Sequence, residues 1–213
     1  MGFQMSARSC TSLLTAAAAL WVGAAVAGPQ PGLAPNLARQ VVDYPTSVAA
    51  GTVVIDTAQT YLYYVLGDGK AIRYGIGVGR VGFTWSGTQT VTRKAEWPDW
   101  TPPAQMIARQ PSLPRWMAGG EGNPLGARAI YLGSTIYRIH GTNMPETIGH
   151  QVSSGCIRML NADVVDLYSR VAVGTKIVVL ANHNRIARAI PAFVVPARIA
   201  ASHTDGANAS SIY

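Results

Sequence analysis

The sequence predicts a domain built mainly of β-strands, with one helix near its end. Three observations carry that expectation. Short β-branched and aromatic runs recur from Gly51 onward, Gly67-Asp68-Gly69 stands between two of them as a hairpin turn, and only the stretch after Asn161 has helical periodicity. Hydrophobic residues make up 48% of the 213 residues and charged residues 13%, a balance that fits one ordered core and excludes a disordered chain.

Residues 1–27 read as a secretory signal peptide. Arg8 is the only charge, Leu13 to Val26 form an alanine-rich apolar run, and Ala25-Val26-Ala27 offers a small-x-small cleavage site before Gly28. The run is short for a membrane span, and no charge follows it closely as a stop signal. Residues 28–50, with Pro29, Pro31, Pro35 and Pro45, read as a linker or loosely packed arm. Strands are then expected at Thr52–Ile55, Tyr61–Val65 and Ala71–Ile76.

Gly79 to Arg128 shows little periodicity and much Gly, Pro and Trp, so it is expected to be a long irregular lid or binding wall. Four of the five tryptophans fall in it, which favours a substrate-facing role for some of them. Strands resume at Ala129–Leu132 and Thr135–Ile139. Asn161 is the expected N-cap of a helix with Asp163 in its first turn, a stripe of Val164, Leu167, Tyr168 and Val171, and Gly174 as its stop. Thr175 to Leu180 is a closing strand, and residues 182–213 read as a poorly ordered tail.

If the leader is removed, Cys10 goes with it and Cys156 is the one remaining thiol. An odd cysteine in an oxidising compartment is a bridge to another chain, a buried inert group or a reactive one. The surroundings favour the last. Ile139-His140-Gly141-Thr142 follows a strand, and Val152-Ser153-Ser154-Gly155-Cys156-Ile157-Arg158-Met159 precedes the helix. An imidazole can take the thiol proton, and a third group can fix the imidazole tautomer. The amides of Gly155 and Cys156 are candidate oxyanion donors, each worth roughly 3 kcal/mol. The approaching helix N-terminus is expected to favour a thiolate.

His140-Gly141-Thr142-Asn143, Ile148-Gly149 and Ser153-Ser154-Gly155-Cys156-Ile157-Arg158-Met159 together resemble the signature of YkuD-type L,D-transpeptidases. The resemblance covers about residues 51–181 and implies a β-sandwich catalytic domain with the cysteine in a groove. It implies Cys156 as nucleophile, His140 as general base and Gly141 as the carbonyl that orients the imidazole. Ser153, Ser154, Gly155 and Arg158 are implied at the substrate groove. Many members carry a histidine two residues before the nucleophile, where this chain has Ser154. His150 is read as a surface residue, and His183 and His203 lie outside the matched region.

The resemblance implies peptidoglycan stem peptides as partners, with another stem or an outer-membrane lipoprotein as acyl acceptor, in the periplasm. The formal charge of +7 is scattered singly rather than in blocks, which suits an acidic wall polymer better than nucleic acid. No metal or cofactor is expected, because neither ligand-spaced His/Cys/Asp clusters nor a Gly-rich phosphate cradle occurs. A hydrolase on the same scaffold uses the same thiol and base. A non-catalytic wall-binding protein would not need both Cys156 and His140. A papain-like protease would place Cys before His, the reverse of the order here.

Overall fold

The computed structural model describes residues 1–2 and 33–180. Residues 3–27 of the expected signal peptide and the expected C-terminal tail, with His183 and His203, lie outside the described residues. Among the described residues, no helix is long and apolar enough to cross a membrane.

The strands are β1 (Gln40–Asp43), β2 (Val53–Asp56), β3 (Tyr61–Gly67), β4 (Lys70–Gly75), β5 (Val78–Gly79), β6 (Gly87–Glu96), β7 (Arg128–Leu132), β8 (Arg138–His140), β9 (Gln151–Ser153), β10 (Ile157–Arg158) and β11 (Lys176–Leu180). The helices are α1 (Ala104–Arg109) and α2 (Asn161–Arg170). Nine strands form one sheet in the order β1-β4-β3-β2-β11-β6-β7-β8-β10, and β5 pairs with β9 separately.

The sandwich is made by a single sheet whose halves share β6. The first residues of β6 pair with β11 and its later residues with β7. A register shift between Val91 and Arg93 marks the passage from one half to the other. Side chains of both halves meet in one core: Val53, Ile55 and Leu62 from one, Ile130, Ile139 and Ile157 from the other. Each such fully buried aliphatic side chain contributes about 1.5–3 kcal/mol relative to exposure. Val164, Leu167 and Val171 of the helical stripe enter the same core, and Tyr168 packs at its edge.

The expected hairpin is present. Gly67, Asp68 and Gly69 all take positive φ, at 96°, 50° and 66°, which suits glycine on either side of an aspartate. The expectation for residues 28–50 differs from what is seen over residues 33–50. Gln40–Asp43 form edge strand β1 against β4. Leu37 packs where Gly75 and Gly149 leave no room for a side chain of their own, and Arg39 forms ion pairs with Asp163 and Asp166. The segment between Gly79 and Arg128 is also less irregular than expected, since it contains β6 and α1. β6 escapes notice because it is polar and largely solvent-facing, with Val91 its one buried residue.

Asn161 is the first residue of α2, not its cap; Leu160 stands at the N-cap without a side-chain cap bond. Asn161 Oδ1 instead accepts from the N–H groups of Ala127, at 3.0 Å, and Thr142, at 3.2 Å. The helix ends at Arg170, short of Gly174, which turns toward β11 with φ 92°.

Candidate active site

The two signature segments meet because β8 and β10 run parallel, with Ile139 opposite Ile157 and His140 opposite Arg158. Side chains alternate across a strand. Ile139 and Ile157 therefore enter the core. Arg138, His140, Cys156 and Arg158 take the opposite parity, and all four line one cleft of about 370 Å³. The rest of that wall is mostly apolar, including Trp100, Met106, Leu125 and Met144.

His140 is buried, and its Nδ1 donates to the carbonyl of Gly141 at 2.5 Å. That bond makes Nδ1 the protonated nitrogen and leaves the Nε2 lone pair as the acceptor. Burial lowers the imidazole pKa to about 3, against the Gly141 bond, with Arg158 and Arg138 lowering it further. The imidazole is therefore neutral at ordinary pH.

Cys156 keeps part of its surface open to the cleft, but its sulfur is crowded. Burial pushes the thiol pKa up, opposed by the charge of Arg138, a hydrogen bond from the Arg138 backbone and the charge of Arg158. The thiolate expected from the sequence is thus not the resting form. One reason is geometric: β10 and two further residues separate Cys156 from α2, so the helix N-terminus does not follow it directly.

The loop that carries Cys156 is braced from within and without. Ser153 is buried; its Oγ donates to the Cys156 carbonyl at 2.6 Å and accepts from the Gly155 N–H at 3.1 Å. Ser153 thus braces the loop while also lining the cleft, and the Gly155 amide is already engaged. The Cys156 N–H has no such partner among the described residues. Gly155 has φ 109°, and a Cβ there would stand 2.5 Å from Tyr137 Cε1. Ser154 Oγ accepts from Arg109 Nη2 at 3.3 Å. Arg158 exchanges backbone hydrogen bonds with Gly77, while its side chain borders the cleft. His150 is exposed and lies off the cleft wall.

Several residues of the site carry no signature of their own. Trp85 stacks on Tyr137 with centroids 4.7 Å apart and donates Nε1–H to the Gly155 carbonyl at 2.8 Å. Trp85 therefore supports the loop that carries Cys156, and Trp100 is the tryptophan that lines the cleft. The tryptophan density of the segment was the available signal. Nothing local points to Tyr137 or to Asn161 as a tether of the residue after Gly141.

Comparison with known proteins points to one family. The chain is 37% identical over 167 residues to "Probable L,D-transpeptidase ErfK/SrfK" of Escherichia coli K12, covering 74% of the chain and 52% of that protein. It is 36% identical over 157 residues to "Probable L,D-transpeptidase YbiS" of the same organism, covering 70% and 50%. The chain thus spans about half the length of the curated relatives it matches. In fold it is similar to an L,D-transpeptidase from Mycobacterium smegmatis, with a TM-score of 0.50 and 21% identity over 61% of this chain and 58% of that one. The YkuD family model, described as the L,D-transpeptidase catalytic domain, matches residues 50–179, and the chain belongs to that family.

Proposed function

We propose that the chain is a peptidoglycan L,D-transpeptidase working through Cys156 and His140. The observation that carries this reading is the β8–β10 pairing, which sets thiol and imidazole on one cleft wall while Gly141 leaves Nε2 as the free base. His140 Nε2 takes the Cys156 proton as sulfur attacks the carbonyl at the L-centre of diaminopimelate in a tetrapeptide stem. The Cys156 N–H is the available donor to the developing oxyanion. Collapse breaks the C–N bond to D-alanine, whose nitrogen takes the proton from His140. An acceptor amine then attacks the thioester, returns a proton through His140 to sulfur and completes the new amide. Because the resting imidazole is neutral, the base is available throughout the neutral range.

The leader and its Ala25-Val26-Ala27 site support export to the periplasm, where such stems are met. Residues 28–32 would then join the leader to the folded domain, and residues 182–213 would follow it as a tail. The acceptor is a second stem or a lipoprotein lysine.

Purified full chain is incubated with tetrapeptide muropeptides and the products are weighed. Release of D-alanine with cross-linked product is expected. Release without cross-linking, even with amine present, would make the enzyme a hydrolase on the same scaffold. No release would remove the proposal.

A further inference from the structure

A second chamber of about 590 Å³ adjoins the catalytic cleft and shares Met106, Gln110, Met144, Ser154 and Arg158 with it. Neither Cys156 nor His140 reaches it. Its character differs from the apolar cleft because three guanidiniums, Arg80, Arg109 and Arg158, line it and no acidic residue does. None of the three forms an ion pair among the described residues. Arg158 feels the charge of Glu146, but no salt bridge forms between them.

Arg80 and Arg109 come from unrelated parts of the chain, one just after β5 and the other at the end of α1, and both lie outside the His and Cys signatures. They nevertheless converge on one ring. Their guanidinium carbons lie 4.3 Å and 5.0 Å from the centroid of Phe83. The Arg109 bond to Ser154 ties this pair to the residue two before the nucleophile. Two cations gathered on one ring repel each other, and an anion between them removes that cost. The planar fork of arginine matches a carboxylate with two parallel hydrogen bonds, whereas a neutral carboxamide offers half the acceptor capacity and no charge.

We propose that this chamber, through Arg80 and Arg109, binds free carboxylates of a stem peptide beside the reacting centre, so that the enzyme discriminates free from amidated stems. The inference rests on the functional reading above. The carboxylate belongs either to the stem that acylates Cys156 or to the stem that supplies the amine.

The test uses the full chain as Cys156→Ala, which leaves the peptide uncut, and calorimetry with two diaminopimelate tetrapeptide stems. One has free carboxylates and the other has its side-chain carboxylates amidated. The free stem is expected to bind about tenfold more tightly at low salt, less at high salt. Adding Arg80→Gln and Arg109→Gln together should abolish that preference, while Arg109→Lys should keep part of it. Equal affinity for both stems, no binding of either, or a preference that survives the double substitution overturns the proposal. With the thiol restored, slower D-alanine release in the double variant places the carboxylate on the donor stem. Normal release with slower transfer places it on the acceptor. A wild type that releases no D-alanine from any stem sinks the transpeptidase reading, while the binding comparison still decides the chamber.

Discussion

Trp85 donates its indole N–H to the carbonyl of Gly155 at 2.8 Å, so the residue before Cys156 is held by a side chain seventy positions away. Trp85→Phe keeps an aromatic face for Tyr137 and removes the donor. It should lower stability by about 0.5–1.5 kcal/mol. It should also reduce kcat/KM by about tenfold, because the loop carrying Cys156 loses an outside brace. Denaturant melts and D-alanine release check the two effects, and an unchanged rate would show that Ser153 alone suffices.

His140 should be indispensable and His150 dispensable. His140→Ala is expected to lose on the order of 10²–10⁴ in rate, and His140→Gln should do little better, since an amide cannot shuttle a proton. His150 is exposed and off the cleft, so His150→Ala should retain near-normal rates. Circular dichroism separates lost chemistry from lost fold. Near-normal D-alanine release by folded His140→Ala would displace the base.

The thiol should be slow at neutral pH in the absence of substrate. Burial raises the Cys156 pKa and lowers that of His140 to about 3, so both groups rest neutral at neutral pH. Iodoacetamide labelling of the folded protein should keep accelerating with pH beyond the free-thiol value of about 8.5. A plateau already reached below pH 7 would instead reveal a resting thiolate–imidazolium pair.

Buried neutral His140 also has a signed effect on stability. Its folded pKa is depressed, so below about pH 6.5 the unfolded chain binds a proton that the folded chain refuses, and stability falls as pH drops toward 3. Asp163 acts in the opposite sense. Burial raises its carboxyl to about 6, so its contribution to stability falls as pH rises from about 4 to 6. Asp163→Asn should therefore gain in Tm relative to wild type as pH rises across that window, and a gap independent of pH would refute the assignment.

Asn161 supplies one oxygen to two backbone donors, Ala127 and Thr142. Asn161→Ala leaves the Ala127 and Thr142 N–H groups unpaired and should destabilise the fold by about 1–3 kcal/mol. Asn161→Asp keeps the acceptor and should recover much of the loss in thermal melts. Equal damage from both would mean that the side chain acts by packing rather than by its oxygen.

What could be read from the chain divides by the range of the interaction involved. β2, β3 and β4 announced themselves through β-branched and aromatic runs and a Gly-Asp-Gly turn, which are local properties. β1 and β6 did not, since their edge or solvent-facing positions demand no apolar period and their pairing is with distant strands. Asn161 looked like a cap because its neighbours on the chain suggested one, while its partners lie 34 and 19 residues away. At the site, Cys156 and His140 were visible through a dense motif. The depressed thiol pKa was not met, because desolvation by the packed walls outweighs the helix end assumed from the order of residues.

Glu96 and Arg128, opposite one another at the end of the β6–β7 pairing, are joined by an ion pair of 3.1 Å. Between them hang residues 97–127, which hold α1, Arg109 and much of the apolar cleft wall. Both ends of that excursion are therefore anchored at one point on the sheet. Doubling the length of a loop closed in this way costs only about 0.6 kcal/mol in closure entropy. The excursion is an exchangeable cassette: substitution or extension within it can recast what enters the cleft and leave His140 on β8 and Cys156 just before β10 where they are.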